Sequence, residues 1–398
     1  MTSQSRFLPA EQGAMLLLVV LVGLNLRPFI TGPGPVMEMI RAGTGLSYVG
    51  MSLMTLLPFL LMGVGAFISP RLQARWGTRR GLLTALALLM LGSGLRLVVP
   101  NGASLLFTAL LCGMGVAFVQ SVFPGIIKQH FPGRMAMVTG LYSAMIMGGG
   151  ALGAQLTPWL AGAEHNWQQA LAWLAVPVVL AWLCARKVLV EQGGRRPEPG
   201  LAGRLLARPR TWQLMLCFGL VNAGYSTMVT WLAPYYQQLG WSAASSAGLV
   251  SVMALAQAVS AVGITLLARG QDRRPWLWLT LVLQGIGFAG LLFQPGLAPW
   301  LWVAVCGMGL GGNFSMSLVT ALDHLPVPQQ AGALAALMQG GGFLLAAMGP
   351  LAVSLLQQAS GSFASGWALH LGLVAVVLLT TLQFDPRRYA RAMAQARA

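Results

Sequence analysis

Apolar stretches of close to twenty residues recur along the whole chain, and no other feature constrains the fold as strongly. A helix rises about 1.5 Å per residue and the bilayer core is about 30 Å thick, so each stretch suffices for one crossing. Twelve can be placed, at about 14–36, 47–69, 81–99, 104–126, 135–158, 168–189, 211–233, 243–268, 276–293, 299–322, 330–355 and 363–383. Lipid cannot satisfy backbone polar groups, so stretches of this length cross as helices. The expected fold is therefore an all-α integral membrane protein with twelve transmembrane helices. A chain with 56% hydrophobic and only 8% charged residues and a mean hydropathy of +0.71 is not a soluble domain. The first stretch lacks a small-residue cleavage site and runs on through Asn25-Leu26-Arg27-Pro28, so it reads as a retained helix rather than a signal peptide.

The net charge of +16 would suggest nucleic acid in a soluble protein, but its placement excludes that. Apart from Arg27, Arg41 and Arg96, the basic residues sit in the termini or in alternate loops: Arg71, Arg75, Arg79 and Arg80, then Lys128 and Arg134, then 186–210, then Arg269, Arg273 and Arg274, then 387–397. This is the positive-inside bias, and it puts both termini in the cytoplasm. In a bacterium the membrane would be the cytoplasmic (inner) one. Cys112, Cys184, Cys217 and Cys306 lie in or at the ends of spans with no ligand spacing, so neither a metal nor a disulfide is expected. No cofactor is expected either.

The two halves repeat. Cys112-Gly113-Met114-Gly115 recurs as Cys306-Gly307-Met308-Gly309. Ala144, Gly148-Gly149-Gly150, Leu152, Ala154 and Pro158 recur as Ala336, Gly340-Gly341-Gly342, Leu344, Ala346 and Pro350. Each half then holds six helices of the same orientation, residues 1–190 and 211–398, joined by an Arg-, Gly- and Pro-rich cytoplasmic linker at 191–210. Parallel repeats of this kind resemble the major facilitator superfamily, whose substrate site lies at midplane between two six-helix bundles. The loop Arg75-Trp76-Gly77-Thr78-Arg79-Arg80 is similar to that superfamily's cytoplasmic signature, with Ala74 where an acid usually stands. Its counterpart Gln271-Asp272-Arg273-Arg274 keeps an acid. We assign Arg75, Arg79, Arg80, Asp272 and Arg273 to orientation and gating. The glycine clusters lie inside apolar helices with no Lys-Ser or Lys-Thr sequel, so they read as close helix packing and not as phosphate loops.

Arg27 is the residue that most narrows function. It lies near the middle of the first span, where an arginine costs about 3 kcal/mol. All eight acids, Glu11, Glu38, Glu164, Glu191, Glu198, Asp272, Asp323 and Asp385, fall in tails, loops or span ends. Either an anionic or electron-rich substrate partners Arg27, or backbone carbonyls, amides and water satisfy it. The prolines of Arg27-Pro28-Phe29-Ile30-Thr31-Gly32-Pro33-Gly34-Pro35 rule out a regular helix there.

The resemblance implies that the first, fourth, seventh and tenth spans line the cavity. Their polar residues fall three or four apart, on shared helix faces: Arg27 with Thr31, Gln120 with Pro124, Asn222 with Ser226 and Thr230, Asn313 with Ser317. Asn25 and Tyr225 stand beside these stripes, Tyr142 adds a hydroxyl from the fifth span, and Gln257 and Gln339 add amides from the eighth and eleventh. Each reads equally as an interhelical hydrogen bond. Together with one charge they suit a small, weakly hydrated anion or a planar polar heterocycle, and a cationic drug would want an acid that is missing. Arg96, late in the third span, reads as an outer anchor that snorkels or supports a gate. His370 reads as a packed neutral histidine, and Trp231 as an outer belt or gate residue.

Several stretches look like the bacterial cyanate-transporter branch of the superfamily, which includes 2-nitroimidazole transporters. They are Asn25-Leu26-Arg27-Pro28, His130-Phe131-Pro132, Ser143 to Gly150 with Thr157-Pro158-Trp159, Ala321-Leu322-Asp323-His324 and Met338-Gln339-Gly340. The resemblance implies a monomeric secondary transporter, with cyanate or a related anion as substrate. Efflux of 2-nitroimidazole-like heterocycles is the second reading and a non-transporting membrane sensor the third. No nucleophile, acid pair or metal constellation suggests an enzyme.

Overall fold

Prolines, glycines and polar caps divide the apolar chain into helices. The computed structural model describes residues 9–161, 166–190 and 200–394. The first half comprises α1 (Pro9–Asn25), α2 (Pro28–Thr31), α3 (Met37–Thr44), α4 (Tyr48–Trp76), α5 (Thr78–Leu95), α6 (Gly102–His130), α7 (Met135–Ala161), α8 (Trp167–Trp173) and α9 (Ala175–Val188). A short α10 (Leu201–Leu206) leads into α11 (Pro209–Gln238), α12 (Ala243–Leu267), α13 (Arg274–Phe293) and α14 (Pro299–Asp323). The chain continues through α15 (Pro328–Ser360), α16 (Ala364–Thr381) and α17 (Tyr389–Met393).

Among the described residues, eleven segments are long and apolar enough to cross a membrane. The second of the twelve expected crossings lies in α4, which carries the apolar stretch Leu53–Ser69. Residues 1–8 and 395–398 of the termini, and 191–199 of the expected linker, lie outside the described residues.

The sequence repeat is also a repeat of packing. In the first half α6 packs on α4 and α5, α1 on α7 and α9, and α5 on α9. In the second half α14 packs on α12 and α13, α11 on α15 and α16, and α13 on α16. Equivalent starts share a cap: the Ser47 hydroxyl accepts from the Gly50 amide and the Ser242 hydroxyl from the Ser245 amide. Such serines satisfy a first-turn N–H that has no helical partner. Between the halves α4 and α6 meet α15, and α7 meets α12 and α14. A second apolar cluster, including Val36, Ile40, Met54, Trp167 and Leu171, closes the end of the first half beyond the break in its first span.

That break is where the structure departs most from a plain bundle. A single stretch expected at 14–36 is divided between Asn25 and Pro28, and again by a turn from Gly32 to Val36. The prolines account for both interruptions, because each removes an amide donor and the residue before a proline avoids the helical region.

Candidate functional site

Pro28 places Arg27 at the junction of α1 and α2, with φ −121° and ψ −24°. The Leu24 carbonyl, four residues back, loses its helical donor to Pro28. Gly149 of α7 lies against it so closely that a Cβ there would sit 2.0 Å from the oxygen. Only glycine permits that approach, and a Cα–H···O contact is what it can offer. One residue on, a Cβ at Gly150 would lie 3.3 Å from the Arg27 Cβ, and Thr31 Oγ1 donates to the Gly150 carbonyl at 2.7 Å. The glycine run of the fifth span thus seats the broken first span.

The Arg27 side chain is fully buried. Its Cζ lies 4.8 Å from the ring centroid of Tyr225 on α11 and 5.3 Å from that of Phe59 on α4. Aromatic faces attract a guanidinium, but they satisfy none of its N–H groups, and none of its three nitrogens has a hydrogen-bond partner among the described residues. A buried cation left in this condition is costly. Phe59 continues into an aromatic wall through Phe343 at 5.8 Å, which meets Phe218 at 5.4 Å, and Phe218 meets Phe314 at 5.4 Å. These rings come from both halves, so Arg27 sits at the seam.

Among the other buried polar groups without partners are the Tyr142 hydroxyl and both amide atoms of Gln120 and of Gln257. Tyr142 stacks on Phe123 of α6 at 5.3 Å and lies against Gly23, one turn below Arg27. Gln339 Nε2 donates to the Gln120 carbonyl at 3.1 Å, from α15 to α6. Asn222 is committed within its own helix, donating to the Phe218 carbonyl at 2.8 Å.

The structure directs two other amides elsewhere. Asn25 Nδ2 donates to the Leu21 and Pro177 carbonyls at 2.7 and 3.1 Å, which ties α1 to α9. Asn313 Nδ2 donates to Thr280 Oγ1 at 3.0 Å, which ties α14 to α13. Both were expected on the cavity, Asn313 from its stripe and Asn25 from its place beside one, and spacing gives a face but not the neighbour that face meets.

Prolines explain much of the remaining polar pairing. Pro33, Pro124 and Pro350 each remove the donor for the carbonyl four residues earlier, at Phe29, Gln120 and Ala346. In each case a side chain from another span replaces it: Arg96 Nη1 at 3.1 Å, Gln339 Nε2 at 3.1 Å and Ser226 Oγ at 2.7 Å. Arg96 therefore does not snorkel. It is fully buried, because the acceptor at Phe29 holds it inside.

Residues 16–350 match the sequence profile of the Major Facilitator Superfamily. The chain belongs to that superfamily. It is 41% identical to the cyanate transport protein CynX of Escherichia coli K12, over 94% of this chain and 98% of the relative. It is 28% identical to the 2-nitroimidazole transporter of the same organism, over 91% of each. Among solved structures it resembles the proton:xylose symporter XylE, with TM-score 0.76, 14% identity, and 95% and 96% of the two chains covered. It also resembles the fucose symporter FucP in its outward conformation, with TM-score 0.71, 14% identity, and 96% and 100% covered. At such identity the likeness is one of fold.

Arg75, Arg79, Arg80, Asp272 and Arg273, five of the residues expected to gate, lie on the basic face. Arg79 donates to the Arg186 carbonyl at 3.1 Å, while Arg75 and Arg80 are exposed. Arg273 pairs with Asp323 at 2.9 Å. Asp272 takes Arg274 in a two-pronged contact of 3.1 and 2.7 Å, and that guanidinium holds its carboxyl below the usual range. Trp231 donates to the Pro350 carbonyl at 2.9 Å and packs on Phe363 at 5.2 Å. His370 is buried against Phe288, with Nε2 2.9 Å from Thr227 Oγ1.

Sequence reasoning missed Phe59, one more phenylalanine in an apolar run, and Lys128. The Lys128 ammonium donates to the Leu322 carbonyl and, at 2.8 Å, to the Leu325 carbonyl. It thereby caps the C-terminal end of α14 from the opposite half, where a cation is favoured by the unpaired carbonyls. A basic residue at a span end was counted only as orientation signal.

Proposed function

We propose that this superfamily transporter carries a small, charge-delocalised anion, cyanate foremost, by alternating access, with Arg27 as the central anion-binding residue. One observation carries the reading: a fully buried guanidinium at the seam of the halves with aromatic faces on it and no hydrogen-bond partner on any nitrogen. An anion there supplies the missing charge and acceptors. Gln120, Tyr142 and Gln257 are the neutral groups left to orient it. Tyr225 and Phe59 strip water from the site, which favours an anion that loses hydration cheaply.

The relative named for cyanate supports the choice of cargo. Substrate entry neutralises Arg27 and so favours the closed state, which is the differential interaction that a change of state requires. The spans hold no acid at midplane, so exchange or facilitated movement is preferred to proton symport through a carboxylate relay. The same reading takes the protein as a monomer in the bacterial inner membrane with cytoplasmic termini, and as no enzyme.

The wall of Phe59, Phe343 and Phe218 favours one second reading, efflux of planar nitroheterocycles, in line with the 2-nitroimidazole relative. Counterflow of labelled cyanate into proteoliposomes loaded with unlabelled cyanate separates the two. Accumulation that depends on Arg27 supports the anion carrier. Absence of counterflow by folded protein, with competition between nitroimidazoles for binding, transfers the site to heterocycles.

A further inference from the structure

We propose that Arg96 is a positioning residue for the substrate site, replacing the backbone donor that Pro33 removes and so holding the α1–α2 break that presents Arg27; this rests on the role of Arg27 proposed above. In a continuous helix the amide of residue 33 would meet the Phe29 carbonyl. Proline has no such amide, and the Arg96 guanidinium donates to that oxygen at 3.1 Å through Nη1. Its Nε donates to Thr108 Oγ1 at 3.3 Å, and Thr108 in turn donates to the Leu105 carbonyl at 2.7 Å. The guanidinium thus links α2 to α6 from the end of the third span, where Arg96 opens a single 3-10 turn to Val98.

Phe29 lies two residues from Arg27. Between them stands only Pro28, whose fixed φ transmits any shift of the Phe29 peptide to the Arg27 backbone. The backbone hydrogen bonds of the segment are local: the Arg27 carbonyl accepts from the Ile30 and Thr31 amides at 2.9 and 3.2 Å, and the Pro28 carbonyl from Gly32 at 2.8 Å. Those bonds define the turn internally. Beside the packing of α2 on α7, Thr31 to Gly150 and Arg96 to Phe29 are the side-chain hydrogen bonds that tie the turn to the neighbouring spans. A fully buried arginine is costly, and the Phe29 carbonyl, which has no helical donor, takes its Nη1, while its Nη2 has no partner among the described residues.

The test measures hydrogen–deuterium exchange over residues 28–36 together with cyanate counterflow, in wild type, Arg96→Met, Pro33→Ala and the double variant. Arg96→Met is expected to speed exchange over 28–36 at least tenfold, leave α13 and α14 unchanged, and raise the KM for cyanate more than it lowers the maximal rate. Pro33→Ala returns an amide to the Phe29 carbonyl, so the double variant should regain slow exchange and at least part of the affinity. Unchanged exchange over 28–36 in Arg96→Met, or no recovery in the double variant, overturns the proposal. If Arg96→Met does not fold, a folded double variant supports it, and an unfolded double variant beside a folded Pro33→Ala overturns it. Faster exchange over 28–36 in Arg96→Met, beside full transport in Arg27→Ala, would overturn the role of Arg27 and the link to the substrate site while leaving the hold of Arg96 on the segment.

Discussion

Gln339 donates its side-chain amide to the main-chain carbonyl of Gln120 at 3.1 Å, joining α15 of the second half to α6 of the first. The acceptor is free because Pro124, four residues on, has no amide to meet it. A proline inside one helix has thereby become a specific link between the halves. Under the proposed alternating access such links must change, since the halves would then move as bodies around the site.

That link sets a double-mutant cycle. Gln339→Leu leaves a buried carbonyl unpaired, at about 1–3 kcal/mol, and should lower the melting temperature of the purified protein. In a Pro124→Ala background the helix supplies its own donor, and Gln339→Leu should cost much less. Equal losses in both backgrounds would show that the bond contributes nothing.

Arg27 tolerates no simple replacement under the proposed function. Arg27→Ala should abolish cyanate counterflow while leaving a folded, inserted protein. Arg27→Lys keeps the charge but loses the planar group that lies on Tyr225 and Phe59. The lysine ammonium lacks the planar fork that presents several N–H donors at once, so binding should weaken, read by titration calorimetry with cyanate.

Lys128 caps α14 from the opposite half, and under the proposed function this contact would act as a clamp on the basic face. Near it the backbones touch: a Cβ at Gly332 would lie 2.9 Å from the Gly125 Cα. Lys128→Gln removes the clamp and Gly332→Val wedges the helices. Both should lengthen the distance between spin labels at the exposed positions Gln129 and Gln329. A distribution unchanged from wild type in both variants would count against a clamp.

The Asp272 carboxyl titrates below its usual value because Arg274 hydrogen-bonds to its charged form. A depressed folded value means that the unfolded chain binds more protons in this range. The contribution is therefore present above the unfolded value of about 3.9 and lost as the pH falls through the lower folded value. Melting temperatures of wild type and Asp272→Asn should differ at pH 6 and converge towards pH 3. A constant difference over that range would separate the pair from stability.

Arg27, Gln120, Asn25 and Asn313 mark how far the sequence reaches. The apolar stretches, the duplicated glycine runs and the alternate basic loops determine the all-helical membrane fold and its internal repeat, because lipid leaves a twenty-residue apolar segment little choice but a helix. Arg27 could be picked out the same way, as a charge in a span without an acid. Asn25 and Gln120 were indistinguishable there: both are amides on plausible faces. Only the packed structure turns Asn25 towards Pro177 and leaves the Gln120 side chain without a partner. Phe59 reaches Arg27, and Arg96 reaches Phe29, because helices adjacent in space come from spans far apart in the chain. Helical periodicity decides which residues share a face, and the neighbour that each face meets is decided by how the helices pack.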